Sequence, residues 1–263
     1  MNLNPLSPEH EPARQPAHPP DHQPDLKARL EDLQAQFQAF AHTVSHDLRA
    51  PLRHILAFTD LALEDLAEHN LPQVQSHLTT VTRSARLLAN QMDGLMALTQ
   101  AERAPFNPAP IRLPELVHET CQALVPTIAD RTLQWQIAPN LPTVWADASM
   151  VRQVLNCLLS NAVKFTRKQN EARVEINWQA HDDGLCTLSI KDNGVGFNPA
   201  KKDSLFQAFA RLHSPNEFEG VGTGLALTRR LVQRHGGKVW ADAQPDAGCT
   251  VSFQLPLTSG IQN

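Results

Sequence analysis

The chain has 263 residues, 41% hydrophobic and 19% charged, with 23 Lys and Arg against 27 Asp and Glu. This length fits one or two domains with a sizeable core, and the formal net charge of −4 excludes gripping nucleic acid by bulk charge. No window approaches the ~18 consecutive apolar residues of a membrane span. The start, MNLNPLSPEHEPARQPAHPP, lacks the basic beginning and apolar stretch of a signal peptide. Cys121, Cys157, Cys186 and Cys249 form no C-x-x-C pair, so neither a zinc site nor a disulfide framework is expected, and the expected setting is a reducing cytoplasm.

Residues 1–25 carry seven of the chain's 20 prolines and almost no large apolar groups. Such a stretch buries too little surface to offset its ordering entropy and is expected to be a disordered, Pro/His-rich tail. His10, His18 and His22 within it read as solvated. From residue 26 to 103 the pattern is that of a helical hairpin. Leu26, Leu30, Leu33, Phe37, Phe40 and Val44 step by fours and threes, and Leu48, Leu52 and Ile55 carry the stripe on. After a break at EHNLP, with Pro72 suited to a first helical turn, Val74, Leu78, Val81, Ala85, Leu88, Met92 and Leu95 repeat the spacing. One hairpin leaves its seam half covered; a second copy closes a four-helix bundle, so a homodimer is expected.

Residues 104–112, rich in proline, read as a linker. Over 113–257 the periodicity alternates between strands and helices. Strands are expected at Leu133–Ala138, Val174–Gln179, Leu185–Asp192, Lys238–Ala243 and Cys249–Leu255, and helices at Leu113–Ala129, Ala148–Phe165 and Thr223–His235. The fold class is therefore α plus α/β: a hairpin forming a dimeric four-helix bundle, then a two-layer α/β sandwich, with a short tail at 258–263.

On a helical wheel the stripe through Phe40, Val44, Leu48 and Leu52 lies about opposite His46. His46 is thus an outward imidazole, and Pro51, five residues on, deprives the Asp47 carbonyl of its helical donor. An ordinary surface imidazole is mostly uncharged at neutral pH, which leaves a ring nitrogen free as a nucleophile. Asp47 can hydrogen-bond the other nitrogen and stabilise the cation formed on attack.

The α/β part carries four further signals. LLSNAVKFT sets Asn161 and Lys164 on one helical face, an amide oxygen for Mg²⁺ and an ammonium for phosphate. SIKDNGVGF ends a strand in Asp192, an acceptor suited to an exocyclic amine, followed by Gly194 and Gly196. EGVGTGLAL places Gly220, Gly222 and Gly224 before a helix start that favours polyphosphate, yet matches neither the P-loop nor the Rossmann pattern. Between them, LFQAFARLHSPNEFE reads as a lid anchored by Phe206 and Phe209.

FAHTVSHDLRAPL, LLSNAVKFT, DNGVGF, LFQAFARL and GVGTGLAL, in this order and spacing over about residues 35–257, resemble the boxes of a sensor histidine kinase. The resemblance implies a dimerisation and histidine-phosphotransfer hairpin followed by a Bergerat (GHKL-type) ATP-binding domain. It implies ATP-dependent autophosphorylation of His46 with Asp47 as acidic partner, then transfer to an aspartate of a response regulator receiver domain. Asn161 would be the Mg²⁺ ligand, Lys164 a phosphate contact and Asp192 the adenine reader. Gly194, Gly196, Phe209, Gly220, Gly222, Thr223, Gly224 and Leu225 would shape the nucleotide site, and Thr250 would help close the adenine pocket. ATP and Mg²⁺ are the implied cofactors. Input is expected from a separate sensory partner, from the N-terminal helix or from a part outside this sequence.

Two departures stand out. Four residues before Asn161, where histidine kinases usually carry asparagine and related ATPases a basic glutamate, this chain has Cys157. The missing carboxylate opposes the alternative of a GHKL-type ATPase; the other alternative is a dimeric phosphotransfer scaffold that binds nucleotide without catalysis. Four residues after His46 stands Ala50, where kinases that also dephosphorylate their partner tend to carry Thr or Asn; alanine cannot orient a water.

Overall fold

The computed structural model describes residues 23–128, 131–214 and 217–258. Most of the expected N-terminal tail, including His10, His18 and His22, and residues 259–263 lie outside these, as do the side chains of Leu26, Leu30, Leu33, Phe37 and Phe40. The chain divides into two compact units at His42–Thr43. The described residues of the first, 23–42, are all helical.

Helix α1 (Gln23–Ala67) runs through Pro51, and α2 (Leu71–Arg103) follows a tight turn. In that turn His69 takes φ +60° and the Asn70 amide bonds the Asp65 carbonyl at 2.8 Å. Asp65 also pairs with His77 at 2.9 Å, and the His77 ring lies 5.5 Å from Phe58. Burial on α1 follows Leu48, Pro51, Ile55, Phe58 and Ala62, and on α2 it follows His77, Val81, Ser84, Leu88, Gln91, Leu95 and Leu98. Leu78, Ala85 and Met92, expected in the α2 seam, are instead exposed, as are Leu52, Leu56, Leu63 and Leu66 on α1. The apolar stripe is wider than one partner helix covers, so a single hairpin buries one edge of it and leaves the other bare.

The expected linker contains a strand, which corrects that reading. β1 (Ala109–Arg112) pairs antiparallel with β3 (Thr143–Ala146) in a two-stranded ribbon. Proline is tolerated there because an edge strand needs only some of its N–H groups. The main sheet joins β2 (Leu133–Ile137), β4 (Ala172–Ala180), β5 (Leu185–Asp192), β6 (Val239–Ala243) and β7 (Cys249–Pro256) in the order β2-β4-β5-β7-β6. Only β2 and β4 run parallel. Helices α3 (Leu113–Ile128), α4 (Ala148–Phe165) and α5 (Gly224–Arg234) pack on it around Leu113, Leu155, Ile176, Leu188, Leu231 and Phe253.

Helix α5 meets α2. A Cβ on Gly94 would collide with the Thr223 side chain, so this mid-helix glycine opens the notch that Thr223 occupies. Arg230 pairs with Glu102 at 3.2 Å, and Arg234 donates to the carbonyls of Ala101 and Ala104 at 2.7 Å each. The guanidinium thereby satisfies carbonyls left over at the end of α2.

Buried Asp147 caps α4: its Oδ1 accepts from the amides of Ser149 (3.0 Å) and Met150 (3.2 Å), and its Oδ2 from the Asn107 amide (3.0 Å). Burial opposes the charge, but the Ser149 hydroxyl, which donates to Oδ1 at 2.7 Å, and these amide bonds together lower the Asp147 pKa. The Asp147 amide donates to His235 Nε2 at 3.0 Å while His235 Nδ1 faces the Leu231 carbonyl at 2.7 Å, which assigns the neutral tautomer protonated at Nδ1. Burial, the largest cause, lowers the His235 pKa below its ordinary 6.5. The unfolded chain therefore binds more protons, and this contribution, full above about pH 6.5, is lost as the pH falls. Asp147→Ala should destabilise the domain by about 1–3 kcal/mol in denaturant unfolding. The wild type should lose stability below about pH 6.5 by a step that His235→Gln lacks.

Candidate functional site

Helix α4 turns its buried side, from Met150 to Val163, to the sheet. Its remaining edge brings Cys157, Asn161 and Lys164 to the wall of a cavity of ≈ 370 Å³. The floor is Asp192 at the end of β5 with Ile190 and Val251. The segment after the short 3-10 helix at Pro199–Ser204 forms the opposite wall, and the start of α5 closes one end.

Asp192 is 6% exposed and forms no ion pair among the described residues; its carboxylate accepts from the backbone amides of Gly194, at 2.8 Å, and Cys249. Burial outweighs these bonds and pushes its pKa up from 3.8 to about 6. The same dry surroundings push the Cys249 thiol up to about 12, chiefly by burial. Burial likewise lowers the pKa of Lys164. Asn161 turns Nδ2 toward Cys157 Sγ at 3.9 Å, which leaves its carbonyl oxygen for a ligand. Cys157 packs beneath α5, where a Cβ on Gly224 would lie 2.6 Å from Sγ, and burial raises its pKa.

Two glycines are required by shape. Gly196, at φ +58°, passes so close to the Gln244 carbonyl that a Cβ would collide with it. Gly222, at φ +80°, would put a Cβ 2.6 Å from the Ala210 carbonyl. Side chains at either would fill space between the cavity and the loops around it. Thr223 at the N-cap of α5 makes no side-chain capping bond, so the first amides of α5 have no cap from it and suit an anion.

His46 is on the surface of α1, its side chain 73% exposed, with Nδ1 3.1 Å from Asp47 Oδ1; the Asp47 side chain is 29% exposed. Neither residue lines the cavity. Asn161, Lys164, Asp192, Gly196, Gly220, Gly222, Thr223, Gly224 and Leu225 do line it. Gly194 stands behind Asp192 as its hydrogen-bond donor. Phe209 is buried at a strained φ of +64°, and its neighbour Ala210 faces the cavity instead. Thr250 does not line the cavity; its strand neighbours Cys249 and Val251 do, because successive residues of β7 point to opposite faces. Sequence reasoning missed Phe165, Arg211, His213 and Phe218, all of which line the cavity. The aromatic after Lys164 and the isolated His and Phe of the lid were the available signals.

A buried carboxylate held only by backbone amides is a cost to the stability of the domain. Raising its pKa from 3.8 to about 6 corresponds to roughly 3 kcal/mol against the ionised form. This penalty is absent below about pH 3.8 and complete above about pH 6. Asp192→Asn should therefore stabilise the ligand-free protein at pH 7, by up to roughly 3 kcal/mol, and the gain should vanish toward pH 4. Denaturant unfolding across pH checks this, and carboxyl NMR should show a titration near pH 6.

Residues 146–259 match the family model described as histidine kinase-, DNA gyrase B- and HSP90-like ATPase. The chain is 30% identical over 221 residues to cyanobacterial phytochrome B of Nostoc sp., an alignment covering 84% of this chain and 29% of that protein. It is 28% identical over 222 residues to the methanogenesis regulatory histidine kinase FilI of Methanothrix harundinacea (84% and 25%). It is 31% identical over 229 residues to the adaptive-response sensory kinase SasA of Synechococcus sp. (81% and 57%). The chain thus spans less than a third of the length of the first two. Among solved structures, full-length ShkA in complex with AMPPNP shares 25% identity at a TM-score of 0.56, over 84% of this chain and 46% of that one. ThkA in complex with the response regulator protein TrrA shares the fold at 18% identity and a TM-score of 0.59, over 92% and 66%. The chain is thus similar to histidine kinases in motif order and in its helical hairpin before a mixed sheet, and residues 146–259 carry the match to the histidine kinase-, DNA gyrase B- and HSP90-like ATPase family.

Proposed function

We propose that the chain is an ATP-dependent protein-histidine kinase that phosphorylates its own His46 and passes the phosphoryl group to an aspartate in the receiver domain of a response regulator. One observation carries the assignment of the acceptor: His46 is exposed on α1 with Nδ1 engaged by Asp47, so Nε2 is free. In that tautomer Nδ1–H donates to the Asp47 carboxylate and the Nε2 lone pair faces solvent.

Asp192, whose carboxylate lines the cavity and accepts only backbone amides among the described residues, accepts the exocyclic amine of adenine. Lys164 and the amides at the start of α5 take the phosphates. Among the described residues no three His, Cys, Asp or Glu side chains gather as a metal set, so the protein fits Mg²⁺ as a companion of the phosphates, with the Asn161 oxygen as its own contribution. Bound there, Mg²⁺ supplies charge neutralisation on the triphosphate. His46 Nε2 forms a bond to the γ-phosphorus as the bond to the bridging oxygen breaks, and ADP departs with that electron pair. The ring's Nδ1 proton is held by Asp47 and then released, leaving neutral phosphohistidine. An aspartate oxygen of the regulator next forms a bond to the phosphorus as the N–P bond breaks; His46 Nε2 recovers that electron pair and Nδ1 takes back a proton, which restores the neutral imidazole. The solved complex of ThkA with TrrA supports a response regulator as the partner. A homodimer accounts for the bare Leu52, Leu56, Leu63, Leu78 and Met92 on the hairpin.

With γ-³²P-ATP the protein should acquire acid-labile, alkali-stable label. His46→Gln should abolish it while leaving nucleotide binding unchanged; full labelling of that variant would refute the acceptor. Half-buried Ala50 offers no hydrogen bond for a hydrolytic water. Phospho-regulator should therefore decay in the presence of the protein at close to its own rate, and Ala50→Thr should accelerate the decay.

A further inference from the structure

Three rings from separate parts of the chain meet at the cavity wall. Phe165 ends α4, and His213 and Phe218 belong to the lid. Their centroids lie 5.3 Å (Phe165 to His213), 5.1 Å (Phe165 to Phe218) and 5.4 Å (His213 to Phe218) apart. These separations are those of packed aromatic pairs. Phe218 is buried, and Arg211 donates to its carbonyl at 2.7 Å. His213 Nε2 lies 2.9 Å from the carbonyl oxygen of Gly196, which can only accept, so the ring nitrogen is the donor.

Gly196 is the fixed end of this tie. Its positive φ and its approach to the Gln244 carbonyl leave that loop little freedom, and it lines the cavity itself. Phe165 leads to a second group, because Lys164 Nζ stands 4.5 Å above the Phe165 ring centroid. The ammonium thus rests on a ring that is in turn held by His213 and Phe218. Two further links join the lid to the turn after α4, Arg167 with Glu219 and Lys168 with Glu217, but their side chains are 48–75% exposed. Salt screens such pairs, and they fix geometry poorly. The ring cluster and the His213 bond are the part-buried restraints.

We propose that His213 is a positioning residue for nucleotide binding: by bonding the Gly196 carbonyl and packing between Phe165 and Phe218, it holds the lid and Lys164 in the arrangement that receives the phosphates. It acts through Gly196 and Lys164 rather than on the reacting atoms. This inference rests on the reading of the cavity as an ATP site.

The test compares His213→Ala, His213→Gln and His213→Phe in the full chain. Affinity for a fluorescent ATP analogue is measured by titration, and autophosphorylation is followed against ATP concentration. Expected is a roughly tenfold rise in both Kd and KM for His213→Ala, with kcat at saturating ATP within about twofold of wild type. His213→Gln, whose amide keeps an N–H for Gly196, should recover most of the affinity, whereas His213→Phe, a ring without a donor, should not. Equal unfolding midpoints show that each variant is folded; a variant that unfolds early is replaced by Phe218→Leu, which loosens the same cluster and should raise Kd in the same direction. Unchanged Kd in His213→Ala, a loss confined to kcat, or no advantage of Gln over Phe would overturn the role. Wild-type protein that binds no nucleotide would instead refute the ATP site itself, and wild type that binds but does not label would refute the kinase reading, so the failures are distinguishable.

Discussion

The cavity depends on how α4 is laid against the sheet. Eight of its residues, Met150, Val151, Val154, Leu155, Leu158, Leu159, Ala162 and Val163, are buried. At about 25 cal/mol per Å² of apolar surface, that face is the largest orienting force on the helix. Once it is committed to the core, the edge bearing Cys157, Asn161 and Lys164 has one direction to face, toward the ends of β5 and β7. Asp147 fixes where the helix begins, and His235 links that start to the end of α5. The distance between the α4 wall and the α5 wall is therefore set by packing, before any ligand arrives.

Against this rigid frame stand groups whose burial is unfavourable. Asp192 is ionised with difficulty in the dry floor, and burial also works against the charge on Lys164. Such groups weaken the domain by themselves, and their chemistry suits a ligand that offers a donor to one and an anion to the other. The strained Phe209 and the glycines at 196 and 222 belong to the same bargain between backbone comfort and cavity shape.

The hairpin follows another logic. Its apolar stripe exceeds what one partner helix covers, leaving large side chains bare on both helices. At the far end of α2 the notch at Gly94 and the Arg230 and Arg234 contacts seat α5 directly on the helix. The start of α5, which lines the cavity, is thereby in contact with the hairpin that carries His46.

Much of this was legible in the residues themselves. The alternation of Val174, Ile176 and Trp178 marks a half-covered strand, the period of α4 marks a helix, and the outward position of His46 follows from the turn angle alone, because these are local rules with a fixed repeat. Local rules failed where a partner distant in sequence decided the outcome. β1 forms from a proline-rich segment only because β3 lies beside it. Leu78 and Met92 belong to the predicted seam but not to the buried face, since burial depends on how many helices are present. Cys249 and Val251, not Thr250, line the cavity through the register of β7 against β5. The ring cluster of Phe165, His213 and Phe218 joins residues about fifty apart, which no spacing announces. The sequence by itself determined the elements, their order and the chemistry available, because periodicity and side-chain type are properties of neighbours along the chain. Which of those groups are dry, and which touch, was decided only by the tertiary structure, because desolvation and contact depend on what folds over each residue from elsewhere.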